Sequence, residues 1–126
     1  APVCIHEIDL KGRLVKMNPA GLEMLGVCSE QEICQTPYLD FVGEDNYERT
    51  QSLLKAALAG KKISHFEFTV QTNVGPKTFD SNFIPMYSDN GKVTKLMGVT
   101  RDITLPNCVT HSSPLSGRKY RSCFLA

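Results

Sequence analysis

The spacing of apolar and polar positions changes period twice along the chain. Residues 3–9 alternate weakly and stop at Leu10-Lys11-Gly12, a tight turn, and residues 13–17 read as the second strand of the same hairpin. Asn18-Pro19 then opens a short helix over residues 20–25. The Asn side chain can accept from an unpaired N–H of the first turn, Pro suits the first helical position, and Gly26 stops the run. Ser29 with Glu32 three residues later is a capping box for another helical piece through Cys34, and residues 36–42 read as one more turn. The strongest helix spans residues 44–59. Glu44 and Asp45 suit its positive end, Leu53, Leu54, Ala57 and Leu58 recur at helical spacing, and Gly60 closes it.

Beyond Gly60 the period becomes two. Residues 63–72 place Phe66, Phe68 and Val70 on one face and His65, Glu67, Thr69 and Gln71 on the other. Asn73-Val74-Gly75-Pro76 turns the chain, residues 77–87 form the next strand, Ser88-Asp89-Asn90-Gly91 turns again, and residues 93–103 form the last. This order predicts an α+β domain: a five-stranded antiparallel sheet with short helices packed on one face.

With 126 residues, 41% of them hydrophobic and 21% charged, the chain has the size and composition of one soluble domain. The formal charge of +1 supplies no basic excess for nucleic acid, and no apolar run approaches the ~20 residues of a membrane span. The charge is uneven, however. Residues 1–104 carry a net −2, whereas residues 105–126 hold Arg118, Lys119 and Arg121 with no acid and no apolar period. A functional domain over residues 1–104 followed by an irregular or disordered, non-native tail is the expectation. The start at Ala1-Pro2 without Met is that of a fragment or a processed chain. Five cysteines (Cys4, Cys28, Cys34, Cys108 and Cys123) show no C-x-x-C pair and no His at a zinc-ligand offset. They read as free thiols of a cytoplasmic protein, with no metal site.

Ile8-Asp9-Leu10-Lys11-Gly12-Arg13-Leu14, Asn18-Pro19-Ala20 with Glu23-Met24-Leu25-Gly26, Ser29-Glu30-Gln31-Glu32-Ile33, Glu44-Asp45 before the long helix, Pro85 with Asp89-Asn90-Gly91, and Asp102-Ile103-Thr104 succeed one another in order. Together they resemble the PAS family of sensory domains, over nearly all of residues 1–104. The resemblance implies sensing rather than catalysis, a small cavity between the helices and the inner face of the sheet, a homodimer through the opposite face, and output to an effector domain of the parent chain. The parent protein it points to is a bacterial two-component sensor histidine kinase.

Carried over by strand register, the family pattern places Phe66, Phe68 and Val70, then Phe79, Ser81 and Phe83, then Leu96, Gly98 and Thr100 toward the cavity, joined by His6 and Ile8 on the first strand. Ser81 and Thr100 are hydroxyls in an apolar row and could fix a ligand's polar group or bond a nearby carbonyl. Gly98 could admit close approach of a ligand or mark a bulge. The family's flavin-binding members need a reactive Cys in an Asn-Cys-Arg-Phe-Leu-Gln stretch that does not occur here, and Thr100 stands where their flavin-facing Gln lies. Haem-binding members place a His on the long helix, and residues 44–59 have none. Flavin and haem are therefore not expected; a small, mostly apolar ligand or a packed core remains. Cys34 beside Tyr38 is the only hint of a thioester chromophore site.

By resemblance, Asp102 and Thr104 anchor the exit of the last strand and relay strain to the polypeptide beyond it. Pro106 departs from the helix that commonly succeeds them in the family. The terminal Cys123-Phe124-Leu125-Ala126 has the form of a prenylation signal with basic residues upstream. It needs a eukaryotic prenyltransferase, whereas the domain resembles bacterial sensors, so no membrane anchor is expected. Two alternatives stand beside the sensory reading. One is a cone-shaped α+β isomerase with Asp40 or Asp80 as base and Tyr38 or Tyr87 as acid, for which a carboxylate must face an apolar cavity. The other is a ligand-free interaction module.

Overall fold

The computed structural model describes residues 3–72 and 75–105. Along the chain run β1 (Val3–Ile8), β2 (Leu14–Met17), α1 (Pro19–Leu25), 3-10 turns at Glu30–Glu32, Tyr38–Phe41 and Glu44–Asn46, α2 (Tyr47–Leu58), β3 (Ile63–Thr72), β4 (Gly75–Tyr87) and β5 (Val93–Asp102). The strands form one antiparallel sheet in the order β2-β1-β5-β4-β3. The first and last strands are therefore central neighbours, paired from Val3↔Arg101 to Ile8↔Leu96. Helix α1 packs on β1, and α2 lies across β3, β4 and β5. The inner face of the sheet, with Ile8, Leu14, Phe68, Phe79, Phe83 and Leu96, closes the core against Leu25, Ile33, Phe41, Val42, Leu54 and Ala57.

Asn18 does more than cap α1. Its Oδ1 accepts from Gly21 N and from Ile5 N, both at 2.9 Å, while its Nδ2 donates to Val3 O at 3.0 Å, so one side chain fixes the helix start onto β1. Gly26 ends the helix at φ 76°, a left-handed conformation in which its N–H reaches the carbonyls of Leu22 and Glu23.

Three expectations need correction. The run at residues 44–59 is a 3-10 turn followed by an α-helix that begins at Tyr47. Asn46 is diverted there: its Nδ2 donates to Val42 O and Thr69 O, both at 2.8 Å, and its side chain does not cap the helix. The box at Ser29 does not form: Glu32 accepts from Cys28 N at 2.9 Å, one residue before the cap, the Ser29 hydroxyl makes no cap bond, and the piece stays a single 3-10 turn. Strand β4 begins at Gly75 rather than Lys77, because Gly75 and Pro76 already pair with Thr72 and Gln71. Asn73 and Val74 of the expected turn, and the tail at 106–126 with its prenylation-like end, lie outside the described residues.

Strand β3 carries a bulge between Ile63 and Phe66, with His65 at φ 56°. The extra residue is why Ile63 and Phe66 are both buried despite an odd separation. Strand β4 holds the bulge from its outer face: Asn82 Oδ1 accepts from His65 N at 2.9 Å, and Asp80 Oδ2 takes His65 Nδ1 at 3.2 Å and Arg101 Nη2 at 3.3 Å.

Candidate functional site

Cys4, His6 and Ile8 share the inward parity of β1, and all three are buried. Register then carries them into rows across the sheet: Cys4–Thr100–Ser81 and His6–Gly98–Phe83. Above these rows the 3-10 turn at Tyr38–Phe41 inserts Tyr38, whose ring stacks on His6 at 5.3 Å and meets Phe83 edge-on at 5.4 Å. Ser81 and Thr100 share a hydrogen bond of 2.5 Å between their hydroxyls, and both side chains lie beside the Tyr38 phenol. On the other side of Tyr38, Cys4 Sγ lies 3.5 Å from His6 Nδ1. A string of five polar side chains thus runs through an otherwise apolar interior.

Beside the string is a small cavity lined by Cys4, His6, Leu14, Met17, Leu25, Tyr38, Phe41 and Thr100, with about 10 Å³ open to the centre of a water-sized sphere. That volume is on the scale of a single water. Burial disfavours every charged form here. It pushes the His6 imidazole down to about 4 and the Cys4 thiol up to about 12. The Tyr38 phenol is also pushed above its ordinary range by burial, against the pull of the neighbouring Ser81 and Thr100 side chains. Among the described residues, His6 Nε2 has no hydrogen-bond partner, and neither does the Thr50 hydroxyl inside α2.

The expected cavity set divides into two parts. His6 and Thr100 line the hollow, and Ser81 reaches it through Thr100. Phe66, Phe68, Val70 and Phe79 are all buried; the first two and Phe79 pack ring on ring, 5.7–5.9 Å apart, and none of the four lines the cavity. Ile8 and Leu96 are wholly buried, paired with each other across the sheet. The space over Gly98 belongs to His6: a Cβ at that position would fall inside the imidazole ring's van der Waals envelope.

Cys4, Tyr38, Met17, Leu14, Leu25 and Phe41 were not among the expected lining. Strand parity with His6 was the available signal for Cys4. A single 3-10 turn has no period to betray Tyr38.

Asp102 and Thr104 sit where β5 leaves the sheet. Asp102 Oδ1 accepts from Thr104 N at 2.9 Å, and its Oδ2 meets Lys77 Nζ at 3.4 Å. The Thr104 hydroxyl accepts from Thr78 N at 2.9 Å, and Ile103 N donates to Thr78 O at 2.8 Å. Partial burial would raise the Asp102 carboxyl. The Thr104 bonds and the Lys77 ammonium outweigh it and hold the group below its ordinary value.

The carboxylates of the enzyme alternative face elsewhere: Asp40 is exposed, and Asp80 is on the outer face with His65 and Arg101. Tyr87 is 56% exposed and donates to Gly60 O. Among the described residues no three His, Cys, Asp or Glu side chains group as a metal site, and no helix is long and apolar enough to cross a membrane.

An antiparallel sheet in the order β2-β1-β5-β4-β3, roofed on one side by α1, the 3-10 turns and α2 over a small internal hollow, defines a cupped α+β domain class. The sequence itself matches the PAS fold over residues 1–106, and the chain belongs to the PAS family. Solved structures share the architecture. The PAS domain of a protein from Colwellia psychrerythraea superposes at TM-score 0.70 with 22% identity, over 82% of this chain and 88% of that one. A domain of a putative light and redox sensing histidine kinase from Haloarcula marismortui superposes at 0.63 and 18%, over 81% and 90%. A sensory box sensor histidine kinase from Vibrio cholerae gives 0.60 and 12%, over 82% of each. No curated protein matches the sequence.

Proposed function

We propose that this chain is the sensory and dimerisation module of a cytoplasmic signal-transduction protein, of the two-component sensor histidine kinase type, and that the domain itself catalyses nothing. The observation that carries this reading is the closeness of the hollow to the exit. Thr100, which lines the cavity, stands two residues before Asp102, about 7 Å along an extended strand. A change of occupancy or strain at Thr100 therefore reaches the Asp102–Thr104–Thr78 anchor through one rigid strand. The likeness to two histidine kinase domains supports the same output.

The second copy docks on the outer face. There Ile5, 43% exposed, pairs with Val99, and Met97 pairs with Ile84 in the adjacent row. This makes an apolar patch at the centre of the sheet, beside the Glu7–Lys95 ion pair at 3.0 Å.

Amide exchange tests the relay. Substituting Met17→Leu in the cavity wall is expected to change the exchange of Ile103 and Thr104 amides, 80-odd residues away in sequence; unchanged protection sinks the relay. Native mass spectrometry tests the pairing, with a doubled mass expected. A ligand-free interaction module is the second reading, favoured by the same 10 Å³ volume, which admits no organic molecule without expansion. A co-purifying small molecule excludes it.

A further inference from the structure

We propose that Cys4, His6 and Met17 form a binding site for one Cu(I) ion in the cavity beside α1. The thiol and the imidazole are set for a shared metal. Cys-x-His on a strand puts both side chains on one face, a spacing that a search for C-x-x-C passes over. Their donor atoms, Cys4 Sγ and His6 Nδ1, are 3.5 Å apart. With metal–sulfur and metal–nitrogen bonds of about 2.3 and 2.0 Å, that separation subtends an angle near tetrahedral. Met17 is His6's cross-strand partner and lines the same cavity. Gly21 on α1 leaves the room for both sulfur side chains: a Cβ there would lie 2.5 Å from Cys4 Sγ and 2.6 Å from Met17 Cγ.

His6 is 2% exposed, and its Nδ1, the nitrogen that faces Cys4, has only the weak sulfur contact, while Nε2 is turned to Gly98 and takes no part in the site. The cavity is on the scale of one water or one ion, too small for an organic ligand.

Charge and softness choose the ion. Among the described residues the lining contains no carboxylate and no cation. Deprotonated Cys4 with a monovalent ion gives a neutral unit, which a dry interior tolerates; a divalent ion leaves one uncompensated positive charge. Thiolate, thioether and imidazole are the donors that suit Cu(I). On binding, the Cys4 S–H bond breaks, its proton leaves to bulk solvent, the sulfur pair forms the S–Cu bond, and copper stays Cu(I) throughout. The inference rests on the sensory reading in assigning an occupant to that hollow. Its failure leaves the relay and the dimer, which the exchange and mass measurements judge separately.

The test uses the full chain with Cys28→Ser, Cys34→Ser, Cys108→Ser and Cys123→Ser, so that Cys4 is the single thiol. Anaerobic Cu(I) is titrated against bicinchoninate, and Zn(II) against a zinc-chelating dye. One tightly held equivalent of Cu(I) is expected, weakened at least about 100-fold by Cys4→Ser and about tenfold by Met17→Leu. No competition for Cu(I), equal binding by the Cys4→Ser chain, or zinc held as tightly as copper overturns the proposal. Should Cys4→Ser fail to fold, X-ray absorption of the copper-loaded chain that retains Cys4 decides. A mixed sulfur and nitrogen shell supports the site, and a shell without nitrogen overturns it.

Discussion

His6 is a base kept neutral inside the protein, and its titration couples directly to folding. Its value falls from 6.5 to about 4 on folding, so the unfolded chain binds the proton first. The resulting stability is complete above pH ~6.5 and is lost as pH falls toward ~4, a change on the order of 3 kcal/mol. Urea unfolding monitored across that window is expected to show this acid limb, with the His6 ring resonances unshifted until the protein opens. Gly98 shows the same crowding from the other side. Gly98→Ala drives a methyl into the imidazole and should destabilise by about 1–3 kcal/mol. In a His6→Ala background most of that penalty should vanish, a coupling that a double-mutant cycle measures. If the two costs simply add, the ring does not fill the space over Gly98.

Single side chains also tie one element to the next. Asn18 serves α1 and β1 together, so Asn18→Ala removes three hydrogen bonds where an ordinary cap loses one. A loss of about 2 kcal/mol, at the upper end for N-caps, is expected in thermal or urea melts. Edge strand β3 is guarded similarly: Asn46 takes Thr69 O, and Arg49 Nη2 donates to Glu67 O. Both carbonyls would otherwise face the open groove beside α2, ready to pair with a foreign strand.

These ties explain what could be read from the sequence. The period-two run of Phe66, Phe68 and Val70, the Asn18-Pro19 start and the final meander depend on local chemistry, and all three stand in the structure. The capping box at Ser29 failed because its Glu32 carboxylate is taken by Cys28 N at 2.9 Å, while Glu30 Oε2 accepts from Met17 N at 2.9 Å and pins that turn to β2. Tyr38 was hidden for a related reason. Its burial comes from the segment around it lying along β2, through Leu14 N to Thr36 O at 2.8 Å and Gln35 N to Leu14 O at 2.7 Å, and no local pattern encodes that. The aromatics of β3 and β4 were legible as inward-facing, but parity alone could not tell packed core from cavity lining.

At the scale of the whole molecule the two faces of the sheet divide the work, the inner one enclosing the hollow and the outer one presenting Ile5, Ile84, Met97 and Val99. Val99→Glu places a carboxylate at the centre of the outer patch while leaving the core untouched. It is expected to convert a dimer to monomer in size-exclusion chromatography with the melting temperature nearly unchanged. A monomeric starting protein removes that role for the face.

The pairing of β1 with β5 has a mechanical meaning as well. Val3 and Arg101 are cross-strand partners, so polypeptide attached before one and after the other departs from the same end of an antiparallel ladder. Tension between such flanking segments would not shear the ladder with all its bonds loaded at once. It would peel the two strands apart rung by rung, and the second rung to yield is Cys4 with Thr100, at the wall of the hollow. A pulling experiment through these two ends should therefore rupture at low force, and anything that stiffens that rung should raise the force.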